Sequence, residues 1–286
     1  MQLHFLGVRG STPAPGPEFV RYGGNTSCVA VAADGEPPTL LLDAGTGARR
    51  LGARLDGEPF RGSLLLTHLH WDHTHGLPFA RSLDHPDAVV DLWLPAQVDW
   101  SDDDVSAETV LGRAMGPPHF PITPSGLRGA WRFGSLEPGT VQLGEFAVTA
   151  LEVPHKGGRT YGYRITDGRV TVTYMPDHGP IALGPGPDGM GERHPAALAL
   201  ADGTDALVHD SQHTREEYAE RASFGHSTVD YAAALGVQAG AVRVVLFHHD
   251  PDRTDDQLDA IVARLRDEHA GAVEILAARE DLVLRL

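Results

Sequence analysis

Residues 63–73 read SLLLTHLHWDH, and this stretch decides the fold. A short apolar run, Leu64 to Leu66, ends abruptly in His68, His70, Asp72 and His73. An apolar run of that length bounded by polar residues reads as a buried strand. Three imidazoles and a carboxylate make a costly end to a hydrophobic core, because each must find a partner or lose its solvation. Metal ligation gives all four a shared reason to be there. His68 and His70 fall on one side of an extended segment and can reach the same ion. Asp72 and His73 follow a turn and can reach a neighbouring ion.

Outward from this stretch, other strands end the same way. FAVTALEVPH puts His155 beyond a strand and VTVTYMPD does so for Asp177. DALVHD ends in His209 and Asp210, VRVVLFHHD in His248, His249 and Asp250, and TLLLDAG contributes Asp43. Side chains on loops held by rigid strands can converge on one site. Imidazole nitrogen and carboxylate oxygen suit Zn2+, with Mn2+ or Fe2+ as alternatives where carboxylates contribute. Two ions can share a bridging carboxylate, and Asp177 is the strand-end carboxylate suited to bridge. His209 alone reads as hydrogen-bonded structure, and His75, His85, His119, His178, His194 and His213 as structural or solvent-exposed.

Apolar, β-branched runs bounded by Gly, Pro or Asp predict strands at 2–8, 27–33, 39–45, 63–68, 88–94, 146–153, 160–166, 169–175, 205–210 and 242–249. Asp167-Gly168 makes the turn of a hairpin between two of them. Leu258, Ile261, Val262 and Leu265 have helical spacing behind a capping box at Thr254 and Gln257. Ser227 is a candidate cap for a helix through Ala232 to Leu235, and residues 214–222 predict a short helix. No repeat or flexible linker is visible, so residues 1–286 read as a single domain. A lid insertion is expected at about 95–135, with a short helix near 104–115.

The 286 residues are 41% hydrophobic, enough for a packed core. No apolar run nears the ~18 residues of a membrane helix, and the opening MQLHFLGVRG does not read as a signal peptide. Cys28 is the single cysteine, which suits a reducing cytosol, so a cytoplasmic location is expected. Lys and Arg total 23 against 39 Asp and Glu, a net charge of -16 that disfavours a duplex-coating protein. Bound cations can reverse that sign locally, so an anionic substrate stays open.

HLHWDH, followed by His155, Asp177 and His248, resembles the metallo-β-lactamase fold superfamily. Asp177 at the bridging position, VHDSQHTREEY with FGHST, and the opening FLGVRGSTPAPGPEFVRYGGNTSC resemble its phosphodiesterase branch. That branch includes tRNase Z and cyclic-nucleotide or cyclic-phosphate phosphodiesterases. The resemblance implies an α/β fold, an αβ/βα four-layer sandwich of two mixed β-sheets flanked by helices. It implies one metal on His68, His70 and His155, a second on Asp72, His73 and His248, and Asp177 between them. His249 is the alternative to His248, because a shift of one residue turns a side chain to the other face. His226 is implied as general acid or phosphate contact, Ser227 as phosphate donor or helix cap, and Asp43 and Asp210 as groups orienting the ligand imidazoles.

tRNase Z enzymes usually carry a long basic arm between the positions of His155 and Asp177, where this sequence has only a hairpin. With the negative charge, that favours a dinuclear metal-dependent phosphodiesterase of a small cyclic nucleotide or cyclic phosphate. A metal-bridging hydroxide would attack, Asp72 would orient it or take its proton, and His226 would protonate the leaving oxygen. Phe120 or Trp100 of the lid would stack on a base. The partners expected are a small anionic phosphodiester, no stable nucleic-acid binding and no membrane, with a homodimer left open. The alternatives are tRNase Z-like RNA 3′ processing and hydrolysis of carboxylic esters, lactones or lactams, because fold alone does not settle chemistry. A non-catalytic domain with structural metals is the reading from a different class.

Overall fold

The computed structural model describes residues 1–98 and 104–286. Its strands are β1 (Gln2–Gly7), β2 (Cys28–Ala32), β3 (Leu40–Leu42), β4 (Arg61–Leu65), β5 (Val89–Pro95), β6 (Gln97–Val98), β7 (Asp104–Val105) and β8 (Ala130–Leu136). They continue with β9 (Gly139–Leu143), β10 (Phe146–Glu152), β11 (Tyr161–Thr166), β12 (Thr171–Met175), β13 (Ala206–Asp210), β14 (Arg243–Phe247), β15 (Glu274–Ala277) and β16 (Val283–Arg285). The helices are α1 (Trp71–Thr74), α2 (Ala107–Gly112), α3 (Pro195–Ala201), α4 (Arg215–Arg221), α5 (Val229–Gln238) and α6 (Asp255–Glu268). Among the described residues no helix is long and apolar enough to cross a membrane.

Two seven-stranded sheets have the orders β16-β1-β2-β3-β4-β5-β8 and β15-β14-β13-β12-β11-β10-β9. Each is antiparallel through one half and parallel through the other. This is the mixed two-sheet sandwich the sequence led us to expect. Alternation along the strands divides the apolar residues between cores. Leu3, Phe5, Val29, Val31 and Leu65 face Val148, Tyr163, Tyr174 and Phe247 between the sheets. Cys28, Ala30, Leu64 and Leu66 turn to the outer face of the first sheet, and α3, α5 and α6 cover that of the second.

All ten expected strands form, and Tyr161–Thr166 pairs with Thr171–Met175 as the antiparallel hairpin read at Asp167-Gly168. The capping box at Thr254 is present in full. Beyond the two-residue pair β6 and β7, strands β8, β9, β15 and β16 were not anticipated. Their faces are mostly exposed or half-buried at sheet edges, which blurs the apolar signal.

Residues 95–98 and 104–135, the described part of the expected lid, run from the end of β5 through a crossover into its parallel neighbour β8. The short helix expected there is α2, and its Ala107 and Leu111 pack on the outer face of the first sheet. Trp100 lies outside the described residues.

Candidate metal centre

Every residue expected to bind metal lies at the same end of the sandwich. His68 to His73 follow β4 in the first sheet, whereas His155, Asp177 and His248 follow β10, β12 and β14 in the second. Cross-sheet hydrogen bonds lock the two sets together. The Tyr163 hydroxyl donates to the Leu66 carbonyl at 2.7 Å, and the Tyr174 hydroxyl donates to Asp43 Oδ2 at 2.9 Å.

His68, His70 and His155 form one group whose nitrogens lie within 4.8 Å of one another, and Asp72, His73 and His248 form another. Asp177 stands between them. Its Oδ1 is 3.5 Å from His155 Nε2 and 3.9 Å from His68 Nε2. Its Oδ2 is 3.0 Å from His73 Nε2 and 3.4 Å from His248 Nε2. Both Asp177 oxygens and His68 Nε2 are buried with no hydrogen-bond partner among the described residues. Buried polar atoms left in this state fit a cation that the donor set would complete.

Four imidazoles are oriented from behind, each Nδ1 facing a hydrogen-bond acceptor. His73 Nδ1 donates to Asp43 at 2.8 Å, His155 Nδ1 to the Gly225 carbonyl at 2.6 Å, and His248 Nδ1 to Gln212 Oε1 at 3.0 Å. His68 Nδ1 meets the Thr67 hydroxyl at 3.1 Å, and that hydroxyl also lies 3.0 Å from Asp43 Oδ2. Such partners fix the tautomer and leave Nε2 free to ligate. His70 is the exception: its Nδ1 faces inward, 3.2 Å from His155 Nε2.

Of His248 and His249, the turn after β14 brings His248 to the donor cluster. His248 has φ 58, a left-handed conformation that non-glycine residues adopt at some cost and often at functional sites. That turn brings His248 Nε2 to 3.0 Å from Asp72. His249 points away and its Nε2 donates to the Ala278 carbonyl at 2.8 Å. Asp43 has the same φ of 58. Gly10 packs so closely on the His248 ring that any side chain there would collide with it.

Burial pushes His68 and His155 down, the latter to about 4, which leaves both neutral and ready to ligate. Burial also acts to lower His73, but Asp177, Asp72 and Asp43 outweigh it and raise it well above the usual imidazole range. Three carboxylates thus create a demand for positive charge inside the cluster.

His226 lines the same cavity as Asp72 and Asp177, and its Nδ1 donates to Asp210 Oδ2 at 3.0 Å. Burial opposes its protonated form, but Asp210, Asp177 and Asp72 prevail and raise its pKa to about 9. Asp210 also accepts from the backbone of His178, Gln212 and Ser227. His226 could itself join His155 and Asp177 as a donor group. His209 is buried against His178 at 3.1 Å, the structural role expected of it.

Two expectations need correction. Ser227 neither caps a helix nor faces the cavity: its hydroxyl is buried and donates to the His178 carbonyl at 2.7 Å. Thr228, the next residue, caps α5 by accepting from the Tyr231 amide at 2.9 Å. Phe120 does not reach the cavity, which is lined by Ser11, Leu69, His70, Trp71, Asp72, Asp177 and His226. It packs with the outer core of the first sheet, edge-on to Phe79.

The sequence reading missed Ser11, whose amide donates to Asp72 Oδ2 at 2.6 Å, and Gln212, which holds His248. Both lie in segments singled out for resemblance, so a signal was present without a role. Lys156, the single lysine of the sequence, follows His155 and is exposed.

Residues 39–249 match the family model described as Beta-lactamase superfamily domain. The ribonuclease Z of Gemmatimonas aurantiaca is 26% identical over 86% of this chain and 84% of its own length. That of Lactiplantibacillus plantarum is 28% identical over 87% of both. A metallo-beta-lactamase fold protein from Bacillus subtilis superposes with a TM-score of 0.70 at 18% identity, covering 99% of both chains.

These relatives overturn the expectation of a small phosphodiester partner with no nucleic-acid binding, since both of these curated relatives are ribonucleases by name. The net charge misled because it averages over the whole surface, whereas a phosphate is met by the local field of a metal-binding cleft.

Proposed function

The chain belongs to the beta-lactamase superfamily and is a metal-dependent hydrolase, and on that premise we propose that it cleaves RNA phosphodiester bonds as a ribonuclease Z-like endonuclease. The observation that carries this reading is the buried His226–Asp210 pair beside Asp177, next to a donor set for two ions. A ribose oxygen is a poor leaving group that needs a proton, which a buried imidazole held by Asp210 can supply, and the ribonuclease Z relatives favour RNA over a lactam or ester.

We assign His68, His70 and His155 to one divalent ion and Asp72, His73 and His248 to a second, with Asp177 shared and Zn2+ favoured by the nitrogen-rich donors. When bound, such ions supply an activated water and neutralise charge on the phosphoryl group. Asp72, held by the Ser11 amide, orients the attacking water through its free oxygen. His226, held through Nδ1 by Asp210, presents Nε2 to the departing oxygen and donates the proton there. Asp43, Gln212 and the Gly225 carbonyl keep the ligand imidazoles in one tautomer. Phosphoryl transfer depends mainly on such positioning and charge stabilisation.

Incubating the metal-loaded protein with a 3′-extended precursor tRNA, and mapping the product ends, tests the proposal. Cleavage at a defined 3′ position supports it. No RNA cleavage by a protein that hydrolyses carboxylic esters or lactones would overturn it.

A further inference from the structure

Trp71 lies inside HLHWDH yet neither belongs to a donor group nor orients one. It is 67% exposed, while Asp72 and His73 beside it are buried. Burying an aromatic side chain of this size is among the larger favourable contributions a residue can make, so an indole left in water forgoes much. Trp93 and Trp131 are partly buried against the cores.

Two observations say what Trp71 could meet. Trp71 lines the same cavity, about 350 Å³, as Asp72, Asp177 and His226. It is also stacked on His75, with ring centroids 5.4 Å apart and planes 14° from parallel. The indole therefore lies nearly parallel to the exposed imidazole of His75 on one side, while most of Trp71 remains accessible beside the cleft. A flat, preoriented aromatic surface one residue from Asp72 has the geometry on which a nucleobase stacks.

We propose that Trp71 is the stacking platform for the base of a nucleotide flanking the scissile phosphodiester, an assignment that rests on the reading of the site as an RNA phosphodiesterase. A base on this face would hold its attached phosphate in register with Asp72 and His226. Stacking tolerates any base, so Trp71 would position the strand without selecting sequence. It touches substrate, not the reacting atoms, so its loss should fall mainly on KM.

The test is a cycle between protein and substrate. Wild type, W71F, W71L and W71A are assayed on a precursor RNA, and on versions lacking the base on the 5′ or the 3′ side of the cleaved bond. Metal content is measured for every variant, and tryptophan fluorescence is followed on adding uncleavable RNA. We expect W71A and W71L to lose about 5- to 100-fold in kcat/KM with metals retained, and W71F to recover much of it. One abasic substrate should cost wild type a similar factor and cost W71A almost nothing further. RNA should quench a fluorescence component that W71F lacks. Independent, multiplying losses from W71A and from both abasic substrates would overturn the role of Trp71 while leaving the RNA reading intact. Loss of metal in W71F as well as W71A would overturn it in favour of a structural part. Failure of wild type to cleave any RNA would overturn both.

Discussion

Asp43 Oδ2 accepts from His73 Nδ1 at 2.8 Å, with both side chains fully buried. The same carboxylate takes the Thr67 amide at 2.7 Å and the Tyr174 hydroxyl, so it ties a ligand to both sheets. Asp43→Ala should weaken metal binding about 10- to 100-fold, the usual cost of removing a partner behind a ligand. Asp43→Asn should lose less, since it tolerates the left-handed backbone and keeps an acceptor. Chelator competition gives both affinities; unchanged affinity in Asp43→Ala would remove Asp43 from the centre.

Asp177 is the residue on which a two-ion centre depends. Elemental analysis should find about two ions per wild-type chain, because the donor set exceeds one tetrahedral site. Asp177→Ala should lose at least one ion and nearly all activity. A fully active protein with a single ion would rule out the shared-carboxylate arrangement.

His226→Ala should keep its metals and fold while losing ~10²–10⁴-fold on a substrate with a ribose oxygen leaving group. On a nitrophenyl phosphodiester, whose leaving group departs unaided, the loss should be far smaller. Equal losses would mean that His226 positions phosphate, and loss of metal would make it a ligand.

Thr228 and Ser227 offer a contrast in stability. Thr228→Ala removes the α5 cap and should cost ~0.5–2 kcal/mol, read by denaturant unfolding. Ser227→Ala strips a buried carbonyl of its donor, a different loss of ~1–3 kcal/mol. Restoration by Thr228→Ser alone, with Ser227 intact, would locate the cap at 228.

Chelation should destabilise the whole fold, because the ligands come from both sheets. A ligand present at 100 times its Kd stabilises by ~2.7 kcal/mol per site, so Tm should fall on metal removal and return on reloading. An unchanged Tm would argue against a cross-sheet metal centre.

What was legible in the sequence follows from where periodicity is strong. Strands such as Val244–Phe247 are buried on both faces and read as continuous apolar runs, so their ends, and the candidate donors there, stand out in the sequence. Edge strands β9 and β16 carry few buried residues and left no such trace. Ser227 and Thr228 are adjacent candidates for one cap, and only the backbone angle decides between them. Phe120 illustrates a different limit. Aromatic character marks a surface that packs, but whether it packs on substrate or on Phe79 depends on a crossover whose path the pattern does not encode. Ser11 and Gln212 act through an amide and an oriented side chain, which no spacing rule reveals.

Lys156 has a consequence for how the molecule comes apart. As the single lysine, exposed beside His155, it gives a lysine-specific protease one place to cut the native chain. The cut separates the proposed ligands unequally: one fragment keeps His68, His70, Asp72, His73 and His155, and the other keeps the shared Asp177, His248 and the neighbouring His226. The first piece would lack Asp177 and His248 and the second every other proposed ligand, so neither could hold the two-ion, shared-carboxylate centre alone. A single nick thus turns metal binding into fragment complementation, read by whether the halves travel together on a column with metal and separate once chelator is added.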